Sequence, residues 1–444
     1  MMMSFAAVTL EGTAGLVLLP GMYVGAPLPL VDALFTMTSA VCITGLVVVD
    51  TATAFTRLGQ TWILLHVQLG GIGLLTLTTL VIGAMGRALS LRSEVLVGAP
   101  VGPTRRHDVR SLVVLVTRFA LVIELAGALL LFPFFAWRFV PAEGAWHAVF
   151  HAVNGFCNAG FSTFSDSLVG FARSPFVLLV MSGLVILGGI GFLAVDETTR
   201  WWRSRRAARR QRLSVHTFSV LVASGTLLLA GTVLYGAFEW NGVLGGLGPL
   251  DKIWNAWFMS VTPRSSGFST VSFANVTNAS AYLTILLMVV GGSPGSAAGG
   301  VKTTTLVVLA ALALARVRGR AHVSIHGRSV PPGTVERTVS LTIVAFGAVT
   351  AAVFLLSAIE TTGRPLAEAR AAFLPIFFEV VSAFATVGLS MDVTHTLTVP
   401  GKLLVVVLMF LGRVGPLVVF SVMSFRARGA VRSMRPAQED LVIG

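Results

Sequence analysis

Of the 444 residues, 55% are hydrophobic and only 11% are charged, where a soluble domain carries about 25% charged residues. That balance excludes a soluble globular protein and points to a polytopic helical membrane protein. The net charge of +13 does not mark a nucleic-acid partner, because the arginines gather in a few connections, as the positive-inside rule describes.

In chain order, residues 1–20 are apolar but contain Glu11, and they are short against the roughly 20 apolar residues of a span. They are expected to form a shortened or truncated first helix, with a start too weakly basic for a signal peptide. Residues 31–41 are long enough to enter a membrane and return, not to cross it. Residues 61–85 make a full span with a break expected at Gly70-Gly-Ile-Gly73. A connection bearing Arg87, Arg92, Arg105, Arg106 and Arg110 follows. Residues 112–135 span, 146–156 are half-length, and 176–195 span again up to a break at Gly188-Gly-Ile-Gly191.

The stretch from Arg200 to Arg212 then holds seven arginines, which places it on the cytoplasmic side and in reach of anionic membrane lipids. The third unit repeats the plan with 218–238, a half-length 253–261, and a long interrupted segment, 282–317. After Arg316, Arg318, Arg320 and Arg328 come 338–359, 373–385 and 403–425, closed by Arg426, Arg428, Arg432 and Arg435. The opposite loops carry no cationic run. The expected units are residues 1–86, 87–199, 200–316 (with a broken second helix) and 317–444 (with a C-terminal tail). Eight spans then leave both termini cytoplasmic, and all four units share one orientation.

Each half-length segment ends in a glycine-containing loop. These are Ile43-Thr44-Gly45, Asn158-Ala159-Gly160, Ser265-Ser266-Gly267 and Thr386-Val387-Gly388, and the glycines stand 115, 107 and 121 residues apart. A second glycine cluster, expected to break the apolar segment that follows, begins 25, 28, 24 and 24 residues later, at Gly70, Gly188, Gly291 and Gly412. A fixed offset repeated four times is an internal repeat. The fold class is therefore an all-α integral membrane protein of four tandem helix–pore-loop–helix repeats around a pseudo-fourfold pore, with eight transmembrane helices and four re-entrant pore helices. Four loops facing one axis expose carbonyls that replace the water around a dehydrated cation. The C-terminal dipole ends of the short helices favour the same charge.

Two further features sit at membrane depth. Residues 291–300 run Gly291-Gly292-Ser293-Pro294-Gly295-Ser296-Ala297-Ala298-Gly299-Gly300 and cannot sustain a helix, so they must border a cavity or protein. Arg413 lies inside a span, where a charge faces the interior or water; a salt-bridged structural arginine is the alternative. Arg264 adjoins the third loop. Cys42 and Cys157, the two cysteines, lie in loops and support neither a disulfide framework nor zinc. His147 and His151 form an i,i+4 pair read as packing. With no hydrolase triad, no Walker loop and no strand before Gly70, enzyme activity is not expected, and any nucleotide dependence belongs to a partner.

The stretches T-S-A-V-C-I-T-G-L, S-A-F-A-T-V-G-L-S, G-G-S-P-G-S-A-A-G-G-V-K-T-T-T and G-R-V-G-P-L resemble those of the Trk/Ktr/HKT superfamily of potassium transporters, most closely the KtrB-type membrane subunit of the bacterial Ktr system. The resemblance covers nearly the whole chain. It implies K+ as the transported ion and Na+ as a candidate regulator. It implies a plasma-membrane homodimer joined through its C-terminal tail, Leu441 to Gly444, and docked on a cytoplasmic RCK-type nucleotide-binding ring (KtrA-like). It implies that residues 291–300 with Lys302 form an intramembrane gating loop, and that Arg413 opposes cation passage below the filter. The competing readings are a secondary carrier with broken helices and a poreless docking subunit.

Overall fold

The computed structural model describes residues 2–73, 76, 109–206 and 212–413. They are mostly helical, with one antiparallel hairpin, Ser324–Ile325 against Arg328–Ser329. The first unit holds α1 (Met2–Leu18), α2 (Leu30–Val41), α3 (Thr51–Ala54) and α4 (57–73). The second holds α5 (Val109–Arg138), α6 (Pro141–Cys157), α7 (Pro175–Ile190) and α8 (Phe192–Arg206). The third holds α9 (Val215–Glu239), α10 (Pro249–Val261), α11 (Asn278–Val289) and α12 (Thr303–Val317). The last holds α13 (Pro332–Thr361), α14 (Leu366–Phe384) and α15 (399–413).

Three described helices are long and apolar enough to cross a membrane, over Val113–Arg138, Val215–Glu239 and Pro332–Thr361. Their outer faces are apolar, with Val122, Leu129, Val233, Phe346 and Phe354 exposed. The interior instead collects Thr38, Ser39, Asn154, Ser260, Ser265 and Ser382, all buried. Apolar outside and polar within is the arrangement of a chain whose solvent is lipid and whose polar groups line a path.

The helices α2, α6, α10 and α14 are the re-entrant ones, and each has a proline at its start: Pro141 and Pro249 in the first turn, Pro29 and Pro365 at the N-cap just before it. Proline suits a first turn because its missing N–H has no intrahelical partner there and its φ is already helical. Two units also share an outer lock. Buried Glu239 accepts Thr277 N–H and O–H at 2.8 Å each. Glu360 accepts Thr398 N–H at 2.9 Å and O–H at 2.7 Å. Both locks span 38 residues, tying the end of one long helix to the start of the next.

The second glycine clusters differ from expectation. Residues 70–73 continue α4, and Gly412 and Arg413 lie inside α15, so neither cluster breaks its helix among the described residues. These glycines serve close approach instead. A Cβ on Gly70 would sit 2.2 Å from the Val41 carbonyl oxygen, on Gly188 1.9 Å from that of Phe156, and on Gly412 1.8 Å from that of Phe384. Each contacted residue stands four positions before its loop glycine, so the missing Cβ seats a spanning helix on the last turn of a re-entrant one. A break does occur at Gly191, whose φ is +92; α7 and α8 bend there by 103°, so 176–195 is not one straight span. The expected interruption of 282–317 is present, with 290–302 non-helical between α11 and α12. Residues 87–106 and 414–444, which carry two of the arginine clusters and the tail, lie outside the described residues.

Overpacking a tight interior contact costs about 1–3 kcal/mol. Gly412→Val should therefore lower the melting temperature of the detergent-solubilised protein by several degrees. Gly183→Ala, with nothing within 4 Å of the new methyl, should leave it unchanged or raise it.

Candidate functional site

Each re-entrant helix ends where the chain turns toward a common axis, and the four turns share one backbone pattern. The loop glycines have φ of +85, +72, +78 and +91 at 45, 160, 267 and 388. Two residues before each, a non-glycine also has positive φ: Ile43 (55), Asn158 (60), Ser265 (90) and Thr386 (49). Left-handed backbone at β-branched Ile43 and Thr386 is uncommon and persists only where surroundings impose it, typically at functional sites.

The loops meet in a closed ring. A Cβ on Gly45 would lie 2.4 Å from the Ala159 carbonyl oxygen, and on Gly160 2.9 Å from that of Ser266. On Gly267 it would lie 2.5 Å from the Val387 oxygen, and on Gly388 2.1 Å from the Thr44 oxygen. The contacts run 1 to 2, 2 to 3, 3 to 4 and 4 to 1 in one rotational sense. All twelve expected loop residues thus fall in four equivalent turns whose glycines form this ring.

Loop amides are satisfied from behind. Thr44, Ala159 and Val387 N–H donate to the carbonyls of Ser39, Asn154 and Ser382, at 2.7, 2.9 and 2.9 Å. Gly45 and Gly388 N–H donate to the Ser39 and Ser382 hydroxyls at 3.0 and 3.1 Å. The third loop, which carries Pro263, instead bonds Ser266 N–H to Thr262 O at 3.0 Å. Among the described residues no donor reaches the carbonyls of Thr44, Ala159, Ser266 or Val387. Backbone oxygens left without protein donors at membrane depth are tolerable only beside water or an ion.

On one side the ring opens into a cavity of about 670 Å³, lined by all four glycines and by Asp50, Asp166, Asp392 and His395. On the other side lies the segment between α11 and α12. Gly299 N–H donates to the Ser265 hydroxyl at 3.0 Å, and that hydroxyl donates to Thr386 O at 3.0 Å. Ser265 thereby joins loops 3 and 4 to the segment. The segment is also pinned to the α7–α8 bend, with Ser293 N–H on Gly189 O at 2.9 Å and Phe192 N–H on Gly295 O at 3.1 Å. Lys302 Nζ turns back to Ala298 O at 2.6 Å.

Arg413 is 2% exposed, and none of its three guanidinium nitrogens meets a hydrogen-bond partner among the described residues. No carboxylate pairs with it among the described residues. Arg264 is buried and donates to the Ser224 hydroxyl at 3.0 Å. No group of three or more His, Cys, Asp or Glu among the described residues is placed to hold a metal.

Sequence reasoning missed several supports. Ser39 and Ser382 stand six residues before their glycines, a recurrence visible in the sequence. Glu124 is buried on α5, accepting from Gln68 Nε2 at 2.8 Å and standing 3.7 Å from Cys157 Sγ. Nothing local in the sequence pairs those three.

Four re-entrant turns closing one ring within a lipid-facing helical shell define a membrane protein built around a central path. The family described as TrkH, cation transport protein, matches residues 3–427, and the chain belongs to it. It is 36% identical over 422 residues to the Ktr system potassium uptake protein B of Vibrio alginolyticus, covering 94% of this chain and 89% of that one. It is 33% identical over 416 residues to the potassium/sodium uptake protein NtpJ of Enterococcus hirae, covering 93% and 90%. The crystal structure of the potassium transporter TrkH from Vibrio parahaemolyticus superposes with a TM-score of 0.73 at 17% identity, over 95% of this chain and 83% of that one; that likeness speaks to the fold.

Gly388→Ser should force an L-residue into φ +91 and a Cβ onto the Thr44 oxygen. The expected result is at least about a tenfold rise in KM for the transported cation, measured as uptake, with the variant still folded by size-exclusion chromatography.

Proposed function

We propose that this chain is the membrane subunit of a potassium uptake system, conducting K+ through the ring of carbonyls at residues 43–45, 158–160, 265–267 and 386–388. The observation that carries the reading is the closed ring, four glycines each against the next loop's carbonyl oxygen in one rotational sense. Carbonyls without protein donors substitute for the hydration shell of a dehydrated K+. Asp50, Asp166 and Asp392 in the cavity above raise the local cation concentration at its mouth. That cavity is the external vestibule, and the arginine-bearing connections lie in the cytoplasm with both termini. All four glycines line this one cavity, which favours the channel-like reading over a carrier of inverted repeats.

Residues 291–300 with Lys302 are the gate. Their backbone crosses below the ring, held by Ser265 above and by the α7–α8 bend at the side. Arg413 adds a positive charge beneath the filter, poorly screened where water is scarce. The protein works as a plasma-membrane homodimer with a cytoplasmic nucleotide-binding ring, whose docking shifts the loop, and Na+ acts as a regulatory ion. The relatives' names, potassium uptake and potassium/sodium uptake, support the ion assignment.

Deleting 294–298, or Arg413→Ala, should raise basal K+ influx in proteoliposomes without any partner, by about threefold or more per folded protein. The deletion should have the larger effect if the obstruction is steric. Two folded variants with unchanged basal influx overturn the gate assignment, since damage seldom makes a pore faster.

A further inference from the structure

The ring is fourfold in its backbone, but one of the side-chain bonds behind it is present in only two opposed loops. Nine residues before the glycines stand Thr36, His151, Phe258 and Glu379, one on each re-entrant helix. Two residues after the glycines stand Val47, Ser162, Ser269 and Ser390. In loops 2 and 4 the two positions are bonded across the turn. Fully buried His151 places Nε2 3.0 Å from the Ser162 hydroxyl. Fully buried Glu379 accepts the Ser390 hydroxyl at 2.7 Å and the Thr394 hydroxyl at 2.5 Å.

Loops 1 and 3 have no bond between these two positions; their side-chain ties lie closer in, Gly45 N–H on the Ser39 hydroxyl and the Thr262 hydroxyl on Phe268 O. Thr36 donates to its own helix, to Asp32 O at 2.8 Å, and faces an apolar partner position. Phe258 has no polar atom to offer, and Ser269 N–H bonds to the Ser167 hydroxyl instead. The ring contacts run in the order 1, 2, 3, 4, so the two braced loops face each other across the axis.

Each brace is itself held in place. His151 Nδ1 lies 2.8 Å from the His147 carbonyl, which only accepts, so this nitrogen carries the proton. The neutral ring then offers Nε2 as the acceptor for Ser162. Phe164 stacks on the imidazole at 4.6 Å and 21°. Phe164 N–H also donates to the Ser162 hydroxyl oxygen at 2.9 Å, fixing the hydroxyl from its far side. On the other loop, Val393 N–H donates to the Ser390 oxygen at 3.3 Å, and the Thr394 oxygen, its proton on Glu379, packs 3.1 Å from it. Ser162 and Ser390 both border the cavity beside Gly160 and Gly388.

We propose that His151 and Glu379 are positioning residues for ion discrimination. From behind, each fixes the outer end of one of two opposed loops, and so the spacing of the carbonyls across the axis. The proposal rests on the filter reading above. A loop held at its outer end as well resists closing around a smaller ion more than one held only near its glycine. Fixing the diagonal between loops 2 and 4 sets one ring dimension while loops 1 and 3 keep some compliance.

The test is uptake of K+ and of Na+ into proteoliposomes, separating KM from maximal rate. Ser162→Ala and Ser390→Ala cut the braces from the loop side without stranding a buried charge. Together they should lower the ratio of KM for Na+ to KM for K+ by about fivefold or more, with a smaller change in maximal rate. Glu379→Ala should do the same, and Glu379→Gln, which keeps an acceptor, should restore most of the ratio. Thr36→Ala, at the matching position of an unbraced loop, should keep the wild-type ratio. Folded double-serine and Glu379→Ala variants with the wild-type ratio, or with a lowered maximal rate alone, overturn the proposal. So does a Thr36→Ala variant that loses as much discrimination. A wild-type protein that takes up both ions alike instead defeats the filter reading itself.

Discussion

A backbone that leaves regular structure inside a membrane must find partners for every N–H and every C=O it exposes. Here the N–H groups of the loops turn outward to the re-entrant helices, onto carbonyls five positions back and onto the hydroxyls of Ser39 and Ser382, six back. The carbonyls are left facing inward. That division asks for left-handed backbone at alternate positions, and it explains why Ile43 and Thr386 accept a conformation their side chains resist. The rest of the fold holds four such strained turns close enough to touch.

Two kinds of glycine do that holding, and they work differently. Gly45, Gly160, Gly267 and Gly388 permit a positive φ while admitting a neighbouring carbonyl. Gly70, Gly188 and Gly412 sit in helical backbone and only clear space, letting a second helix rest on the carbonyl of Val41, Phe156 or Phe384. The second kind fixes where each re-entrant helix stops, and so how far each loop reaches toward the axis. In the third unit that support is absent, because the chain at the matching position, Gly291, has left the helix. Gly291 packs against Gly299 of its own segment instead.

Much of this was legible in the sequence because it is periodic. The four loop glycines, their shared orientation, the half-length helices and the interruption after Val289 follow from spacing and hydropathy. The misreading concerned Gly70–Gly73 and Gly412, taken as breaks and found inside helices. Composition alone does not separate a glycine that bends a chain from one that admits a neighbour; both cost propensity, and only the partner surface decides. The re-entrant helices also run longer than their apolar cores, since α6 begins at Pro141 and α14 at Leu366, in segments too polar for a hydropathy reading. The braces at His151 and Glu379 were invisible for another reason. Each links positions eleven apart across a turn, a distance with no helical or strand period to announce it.

The departures from fourfold symmetry fall on different sides of the ring, and this orders the structure. Above it, only loops 2 and 4 bond the residue nine before the glycine to the residue two after it. Below it, the third unit's non-helical segment between α11 and α12 lies against loops 3 and 4 and the α7–α8 bend. Ser265 belongs to both sides, giving its hydroxyl to Thr386 O and receiving Gly299 N–H. A displacement of the lower segment therefore cannot leave loop 3 untouched: it removes one of the two bonds that fix the Ser265 hydroxyl. The opposite diagonal, clamped by His151 and Glu379, has no bond to that segment through its braces. On the proposed reading, movement of the lower segment reaches loops 3 and 4 through Ser265, while the outer ends of loops 2 and 4 stay held by His151 and Glu379.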